Sequence, residues 1–83
     1  MKIQVRYFAS IRELLGAGEA LELPGDATVA QARNALIARG GVHATALARG
    51  KALRSALNQT LCDESARLAE GAELAFFPPV TGG

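Results

Sequence analysis

The segment that most constrains the fold is the first one, residues 2–8 (KIQVRYF), in which side chains alternate with a period of two. This alternation predicts a β-strand with one buried face, formed by Ile3, Val5 and Tyr7. Its other face is charged or polar and ends in Phe8. A strand that is apolar on one face belongs to a sheet that other elements cover on that side only.

One strong helix is available to cover such a sheet. Thr28 and Gln31 have the spacing of a capping box, which predicts that the helix begins just after Thr28. Apolar side chains then recur at helical spacing and form the predicted buried stripe, which consists of Val29, Ala32, Leu36 and Ile37. The glycines at 40–41 are predicted to end this helix as a C-terminal cap.

The remaining elements are shorter. The patterns predict one helical turn and several strands, bounded as follows: a turn over 9–16, a strand over 19–23, short strands over 52–59 and 60–62 with a bend at Asn58-Gln59, and a last strand over 73–77 that Pro78 ends. Residues 42–51 fit either a loop or a weak helix. Because the first and last strands are strongly apolar on one face, they are expected to be central neighbours in a mixed sheet. The predicted class is α+β, with one domain over 1–77 and an extended C-terminal tail over 78–83.

Composition excludes several functional classes. The chain of 83 residues is 49% hydrophobic and 20% charged, which is typical of a small globular domain and not of a disordered chain. Its net charge is +1 and its Lys and Arg residues are interleaved with acids, so no nucleic-acid-binding stripe is expected. No signal peptide or membrane-spanning stretch is apparent, which favours the cytoplasm.

No self-contained active site emerges from the usual catalytic residue types. His43 has no identifiable Ser or Cys partner, and Cys62 is interpreted as a buried, inert thiol on a strand. One Cys and one His do not form a zinc site. The glycines at 40–41 follow a helix instead of preceding one, so they do not predict a phosphate-binding loop.

The last eight residues, FFPPVTGG, combine two aromatic residues, two prolines and a terminal glycine pair. Pro78 and Pro79 stiffen the exit from the last strand, and six residues from Pro78 to Gly83 span at most ~20 Å. Gly82 and Gly83 lack a Cβ and can pass through a channel too narrow for a side chain. Attack of the Gly83 carboxylate on ATP would produce an acyl-adenylate, which sulfur or an amine could capture. The alternative is a flexible end without a function.

Three apolar side chains are predicted to lie at the root of this tail. Phe8 falls on the polar face of the first strand, Phe77 shares a face with Glu73, and Leu61 shares the outer face with Gln59. If the first and last strands are neighbours, Phe8, Leu61 and Phe77 form an exposed patch, which is typical of a partner surface. A register error of one residue would bury them instead.

Three stretches together resemble one family. YFASIRELLG, LNQT and LAEGAELAFFPPVTGG, in this order, are similar to the small, sulfur-carrying subunits of molybdopterin synthases, which are ubiquitin-like β-grasp proteins. The resemblance is weak between about 41 and 54. It implies a β-grasp fold, in which the mixed sheet is crossed by one main helix.

The resemblance also implies a function. A ubiquitin-activating-like adenylyltransferase would consume ATP to adenylate Gly83, and a sulfur donor such as a cysteine desulfurase or rhodanese-like protein would convert it to a thiocarboxylate. The carrier would then donate this sulfur to precursor Z (cyclic pyranopterin monophosphate) and form the dithiolene of molybdopterin in molybdenum cofactor biosynthesis.

The same resemblance implies the partners and the residue roles. The chain would join a large subunit in a heterotetramer of two large subunits and two carriers, bind no cofactor directly, and act as the sulfur-donating subunit of a sulfurtransferase. Phe8, Leu61 and Phe77 would form the docking surface. The tail residues would give access to the partner's active site, namely Pro78, Pro79, Val80, Thr81 and Gly82.

Two other functions remain open on the sequence. A sulfur carrier for thiamin or for tRNA thiolation would share the fold and the terminal Gly-Gly, although such carriers usually lack the FFPPVT lead-in. A ubiquitin-like protein modifier would be joined to lysines through Gly83.

Overall fold

The structure, a computed structural model, describes residues 1–79. It contains three helices and five strands within these residues, in the order β1 (Lys2–Tyr7), α1 (Ala9–Leu15), β2 (Gly18–Glu22), α2 (Val29–Ile37), α3 (Gly41–Ala46), β3 (Arg54–Leu57), β4 (Thr60–Cys62) and β5 (Glu73–Phe77). The predicted tail residues Val80, Thr81, Gly82 and Gly83 lie outside the described residues.

The strands form one mixed sheet in the order β2-β1-β5-β3-β4. The first and last strands are neighbours at its centre and run parallel, with Val5 opposite Leu74 and Tyr7 opposite Phe76, while every other pairing is antiparallel. The prediction of a mixed sheet with β1 and β5 at its centre is therefore confirmed. Because β5 runs parallel to β1, the tail leaves the sheet at the end where β1 meets α1.

The core lies between the sheet and the helices. Alternate residues of β1 are buried on its inner face, as predicted, and Leu74 and Phe76 of β5 join them. The buried cluster includes side chains from β1, α2 and β5, among them Ile3, Val5, Tyr7, Val29, Ala32, Leu36, Leu74 and Phe76. The opposite, outer face of the sheet carries no helix in the part of the chain that the structure describes, so its side chains face solvent.

Helix α2 begins where its capping box predicts. The amide N–H of Gln31 donates to Thr28 Oγ1 at 3.4 Å, and the amide N–H of Thr28 donates to Gln31 Oε1 at 2.8 Å. The buried stripe differs from the prediction at its end. Ile37 is only half-buried. Arg33, which the predicted stripe did not include, is buried, with 3% of its surface exposed.

The role predicted for the glycines at 40–41 was wrong. Helix α2 ends at Ile37 with Ala38 as its C-cap, and Gly40 is the N-terminal cap of α3. Gly40 has a φ of 73° and Gly41 a φ of 54°, values that favour glycine and that turn the chain directly from one helix into the next. A glycine pair between two helices has the same sequence signature whether it ends the first or begins the second.

Other boundaries also differ from the sequence prediction, including that of β3, which spans Arg54–Leu57 instead of 52–59. Helix α1 spans seven residues instead of a single turn and leaves Leu14 exposed. Strand β2 starts one residue earlier than predicted, at Gly18, because this residue pairs closely with β1: a Cβ at Gly18 would overlap the carbonyl oxygen of Val5. Only a residue without a side chain permits this approach.

The buried Arg33 organises the segment that the sequence left open. Its Nε donates to the Leu47 carbonyl at 2.8 Å, and its Nη2 donates to the carbonyls of Ala48 at 2.6 Å and Lys51 at 3.2 Å. Its Nη1 forms an ion pair with Glu64 at 2.7 Å. The predicted loop or weak helix is thus α3 followed by a loop that one guanidinium holds against α2.

Candidate functional site

The outer face of the sheet carries the apolar surface predicted at the root of the tail. Strand register places Arg6, Ala75, Ala56 and Leu61 side by side across β1, β5, β3 and β4. One row further along, Phe77 is the register partner of Arg54. The amide N–H of Phe8 donates to the Phe76 carbonyl at 3.2 Å and so extends the β1–β5 pairing to the Phe8–Phe77 position.

A concavity of about 720 Å³ lies on this face. Its wall and floor are formed mainly by apolar side chains, from Phe8, Ala9, Ala56, Gln59, Glu73, Ala75, Phe77, Pro78 and Pro79. Phe8 is 44% exposed and Phe77 half-buried, and Leu61, which is 65% exposed, lies beside the concavity next to Ala56. The three predicted residues therefore share one face, and Phe76 is in the core as expected.

Two alanines that the sequence prediction did not single out form the floor of the concavity. Ala56 and Ala75 are register partners on the outer face, and both are almost fully buried beneath larger neighbours. Because a methyl group rises only a short distance from the sheet, the aromatic rings of Phe8 and Phe77 stand above this floor. The alternation of side chains along β3 and β5 could have identified these alanines, because it places them on the same face of the sheet as Phe77.

The turn between β3 and β4 is fixed to the start of β5 by Asn58. Its amide N–H donates to the Glu73 carbonyl at 2.8 Å, and its side-chain Oδ1 accepts from the Glu73 amide at 3.0 Å. Asn58 and Gln59 both have positive φ, at 50° and 70°, which is the geometry of a two-residue hairpin turn. This turn sets the register that places Gln59 at the concavity and Leu61 beside it.

A polar cluster around Glu19 lies on the inner face of the sheet, the face that the helices cover. Its Oε2 accepts from the hydroxyl of Tyr7 at 2.7 Å and lies 2.8 Å from Nε2 of His43, and its Oε1 pairs with the guanidinium of Arg39. These contacts tie β2 to β1, α3 and the end of α2. His43, which the sequence left without a catalytic partner, has a carboxylate neighbour and a place in this cluster.

The cluster shifts the pKa values of two of its members. Partial burial by itself raises the pKa of Glu19, but hydrogen bonds from His43, Tyr7 and Arg39 and the Arg39 charge outweigh it and lower the pKa to about 2. Burial, together with the hydrogen bond to Glu19 and its negative charge, raises the pKa of Tyr7 far above its usual range. Glu19 is therefore ionised and Tyr7 neutral at pH 7.

The shift at Glu19 predicts a pH-dependent stability. The carboxyl has a lower pKa in the folded chain than its ordinary value of 4.5, so its contribution is complete above about pH 4.5 and is lost as the pH falls toward 2. We expect Glu19→Gln to lower the free energy of unfolding by about 2–3 kcal/mol at pH 7 and by much less near pH 2. Urea unfolding at both pH values measures this difference.

Glu22→Gln serves as the matched control for this experiment. Glu22 lies on the same strand, is exposed and forms no ion pair with any residue between 1 and 79. Equal destabilisation by Glu19→Gln at both pH values would contradict the cluster's electrostatic role.

A metal centre and a membrane span are both absent from residues 1–79. This part of the chain contains no group of three His, Cys, Asp or Glu side chains placed to hold a metal ion, and no helix long and apolar enough to cross a membrane. Cys62 is half-buried on β4, at the edge of the core, so it is less enclosed than the predicted buried thiol. What these residues offer is an exposed apolar concavity where the chain passes into Pro78 and Pro79.

These features define the class of the protein. A five-stranded mixed sheet with parallel first and last strands, crossed by helices on one face, is a ubiquitin-like β-grasp domain. The model of the ThiS family matches residues 5–83. The chain belongs to the ThiS family.

Individual relatives and structures agree with this assignment. The molybdopterin synthase sulfur carrier subunits of Escherichia coli and Haemophilus influenzae are 46% and 45% identical, each over 98% of this chain and 99% of the relative. The crystal structure of SAMP1 from Haloferax volcanii has a TM-score of 0.78 at 30% identity and covers 100% of both chains. A complex of subunits 1 and 2 of the molybdopterin-converting factor from Helicobacter pylori contains a chain with a TM-score of 0.69 at 25% identity, again over 100% of both chains.

Proposed function

We propose that this chain is the sulfur carrier subunit of a molybdopterin synthase and acts in molybdenum cofactor biosynthesis. The observation that carries this proposal is the near-complete alignment with two sulfur carrier subunits at 45% and 46% identity. The apolar concavity at the root of the tail supports it, because a sulfur carrier must dock on the proteins that load it and use its sulfur.

The reactive group is the α-carboxylate of Gly83. One carboxylate oxygen attacks the α-phosphorus of ATP on a ubiquitin-activating-like adenylyltransferase, and pyrophosphate leaves. The terminal sulfur of a persulfide, supplied by a cysteine desulfurase or a rhodanese-like protein, then attacks the acyl carbon and displaces AMP. Cleavage of the resulting S–S bond by a thiol leaves the thiocarboxylate, and the thiol is oxidised to a disulfide.

The thiocarboxylate is the form that donates sulfur. It is anionic at neutral pH, and its soft sulfur attacks precursor Z in the active site of the large subunit, so that two successive carriers build the dithiolene. Gly82 and Gly83 allow passage through a narrow channel, and Val80 and Thr81 supply length. The Helicobacter pylori complex supports a large subunit as the partner. The assembly of two large and two small subunits and the cytoplasmic location stay predictions.

The tail is stiffened where it leaves the domain. Pro78 is half-buried between the concavity and α1, Pro79 is exposed, and both fix φ near the value of an extended chain. We therefore treat residues 1–77 as the domain and 78–83 as the arm. No cofactor is expected to bind the carrier directly, since the activating partner consumes the ATP.

Intact mass spectrometry tests the proposal. After incubation with the activating enzyme, ATP and a persulfide donor, we expect the mass to rise by the difference between one sulfur and one oxygen, with the change confined to the C-terminal peptide. Omission of ATP is the control and should leave the mass unchanged. Absence of this species in the complete reaction would overturn the sulfur carrier function.

The same experiment addresses a second function. The likeness to SAMP1, whose Haloferax volcanii structure is also described as that of a small archaeal modifier protein, favours a modifier as the alternative. A modifier would appear as isopeptide-linked adducts on lysines. A carrier for thiamin or tRNA thiolation would form the thiocarboxylate but fail to convert precursor Z with the large subunit.

A further inference from the structure

Two cations lie where the chain leaves the sheet. Arg54 is the register partner of Phe77, the last residue of β5. Lys51 lines a second, smaller groove together with Pro78 and the apolar side chains of Ile11, Leu14 and Leu53. Pro78 also belongs to the larger concavity, so it lies between the two depressions. Both cations therefore stand beside the root of the tail.

Neither cation is engaged by an acid of the described chain. The arginines that form ion pairs within residues 1–79 are Arg6, Arg33, Arg39 and Arg49. Lys51 and Arg54 are exposed and form no ion pair with any residue in this range. Both charges are therefore unpaired within residues 1–79 and can pair with another molecule.

The position of Lys51 is built into the fold. Its carbonyl accepts a hydrogen bond from the buried Arg33 at 3.2 Å, and its amide donates to the Ala48 carbonyl at 2.9 Å. Arg54 is the first residue of a paired strand. Both backbone positions are therefore held by hydrogen bonds, as expected of residues that present a charge to a partner.

We propose that Lys51 and Arg54 form a cationic rim that pairs with carboxylates of the large subunit, around the opening that receives the tail. This inference rests on the proposed function and names a surface of that complex in addition to the apolar concavity. The apolar side chains provide the buried centre of the interface, and the rim provides charge at its edge, which is the usual arrangement of a protein–protein contact.

The reach of the tail argues against a phosphate as the partner of the rim. Four residues follow Pro79, and in the extended form that the proposed function requires they span about 13 Å. Chemistry at Gly83 therefore takes place about 13 Å beyond Pro79, whereas Lys51 and Arg54 lie beside the root of the tail. The surface within their reach is the partner protein that surrounds the tail root, and its complementary groups are carboxylates.

Rim charges act mainly on the rate and orientation of encounter, because solvent screens them. We expect the double variant Lys51→Gln/Arg54→Gln to lower the association rate constant with the large subunit about three- to tenfold at roughly 50 mM salt. The difference from the wild type should disappear at roughly 500 mM salt, where the screening length is only a few ångströms. Stopped-flow mixing of the full chain with the large subunit measures both.

A matched control removes two positive charges elsewhere. Lys2→Gln/Arg67→Gln changes exposed cations at the start of β1 and beside the start of α2. Because β1 and β5 are parallel, Lys2 is at the opposite end of the sheet from Phe77. We expect this variant to retain nearly the wild-type rate constant and salt dependence.

The outcomes separate the rim from the proposed function. If the rim variant associates as fast as the control at low salt, or faster than the wild type, the carboxylate pairing is wrong, while binding by the wild type still supports the carrier function. If the wild type itself fails to bind the large subunit, the proposed function fails.

The variant Phe77→Asp tests the contribution of the apolar concavity to binding. We expect it to weaken binding at both salt concentrations, with little change in the melting temperature.

Discussion

Removal of Gly83 is expected to abolish sulfur transfer and to leave the domain folded. The deletion moves the carboxylate back by one residue, about 3.3–3.6 Å along an extended chain. Because a displacement of about 1 Å can reduce a reaction about 100-fold, we expect activity to fall by at least that factor. One residue added after Gly83 should have a comparable effect. Thiocarboxylate formation by mass spectrometry and conversion of precursor Z provide the measurements.

Gly83→Ala is the informative control for this prediction. It keeps the length of the arm and the carboxylate and adds only a methyl group, so it tests the width of the channel separately from the reach of the tail. The melting temperature of all three variants should match the wild type, since every core residue that the structure describes lies within 1–77. Retained activity in the deletion variant would rule out the proposed arm mechanism.

Replacement of Arg33 by Ala is expected to produce the largest loss of stability. The side chain of Arg33 is 4% exposed, and it supplies the donors for the carbonyls of Leu47, Ala48 and Lys51 as well as one partner of Glu64. Truncation leaves the buried Leu47 carbonyl without this donor and also removes the guanidinium bonds to Ala48, Lys51 and Glu64. An unsatisfied buried acceptor costs about 1–3 kcal/mol and a hydrogen bond from a charged donor contributes about 1.5–3 kcal/mol, so we expect a total loss of about 3 kcal/mol or more. Such a loss is a large part of the stability of a small domain. Urea unfolding measures it.

Arg49→Ala provides the comparison within the same cluster. Arg49 also pairs with Glu64, but its side chain is 45% exposed, and Glu64 keeps Arg33 as a partner after the substitution. Exposed pairs of this kind contribute about 0.2–1 kcal/mol, so the two arginines should differ several-fold in their effect. Similar losses for both variants would show that burial does not control the contribution of this cluster.

Strand and helix positions were predictable where one periodicity dominated. The alternation of residues 2–8 identified β1 and its buried face, and the bounds of β5 are the predicted ones. Thr28 and Gln31 located the start of α2 because their side chains bond to each other's backbone, an interaction decided within four residues. Segments without a clear period, above all 42–51, were not predictable in this way.

Local patterns failed where a distant residue decided the outcome. The predicted buried stripe did not include Arg33, and its burial depends on carbonyls and a carboxylate 14 to 31 positions away. The glycines at 40–41 were assigned to the wrong helix because their positive φ serves either end equally well. Glu19 and His43 met only when β2 and α3 came together.

For the candidate site, the sequence alone predicted the reactive group and the arm that carries it. The FFPPVTGG motif predicts a stiff, narrow arm that ends at Gly83, and this follows from the properties of proline and glycine themselves. The tertiary structure decided the surface from which that arm leaves. Phe8, Leu61, Phe77 and the alanine floor share one face only because parallel β1–β5 pairing and the Asn58 turn set the strand register, and Lys51 joins Arg54 only because the buried Arg33 holds its loop.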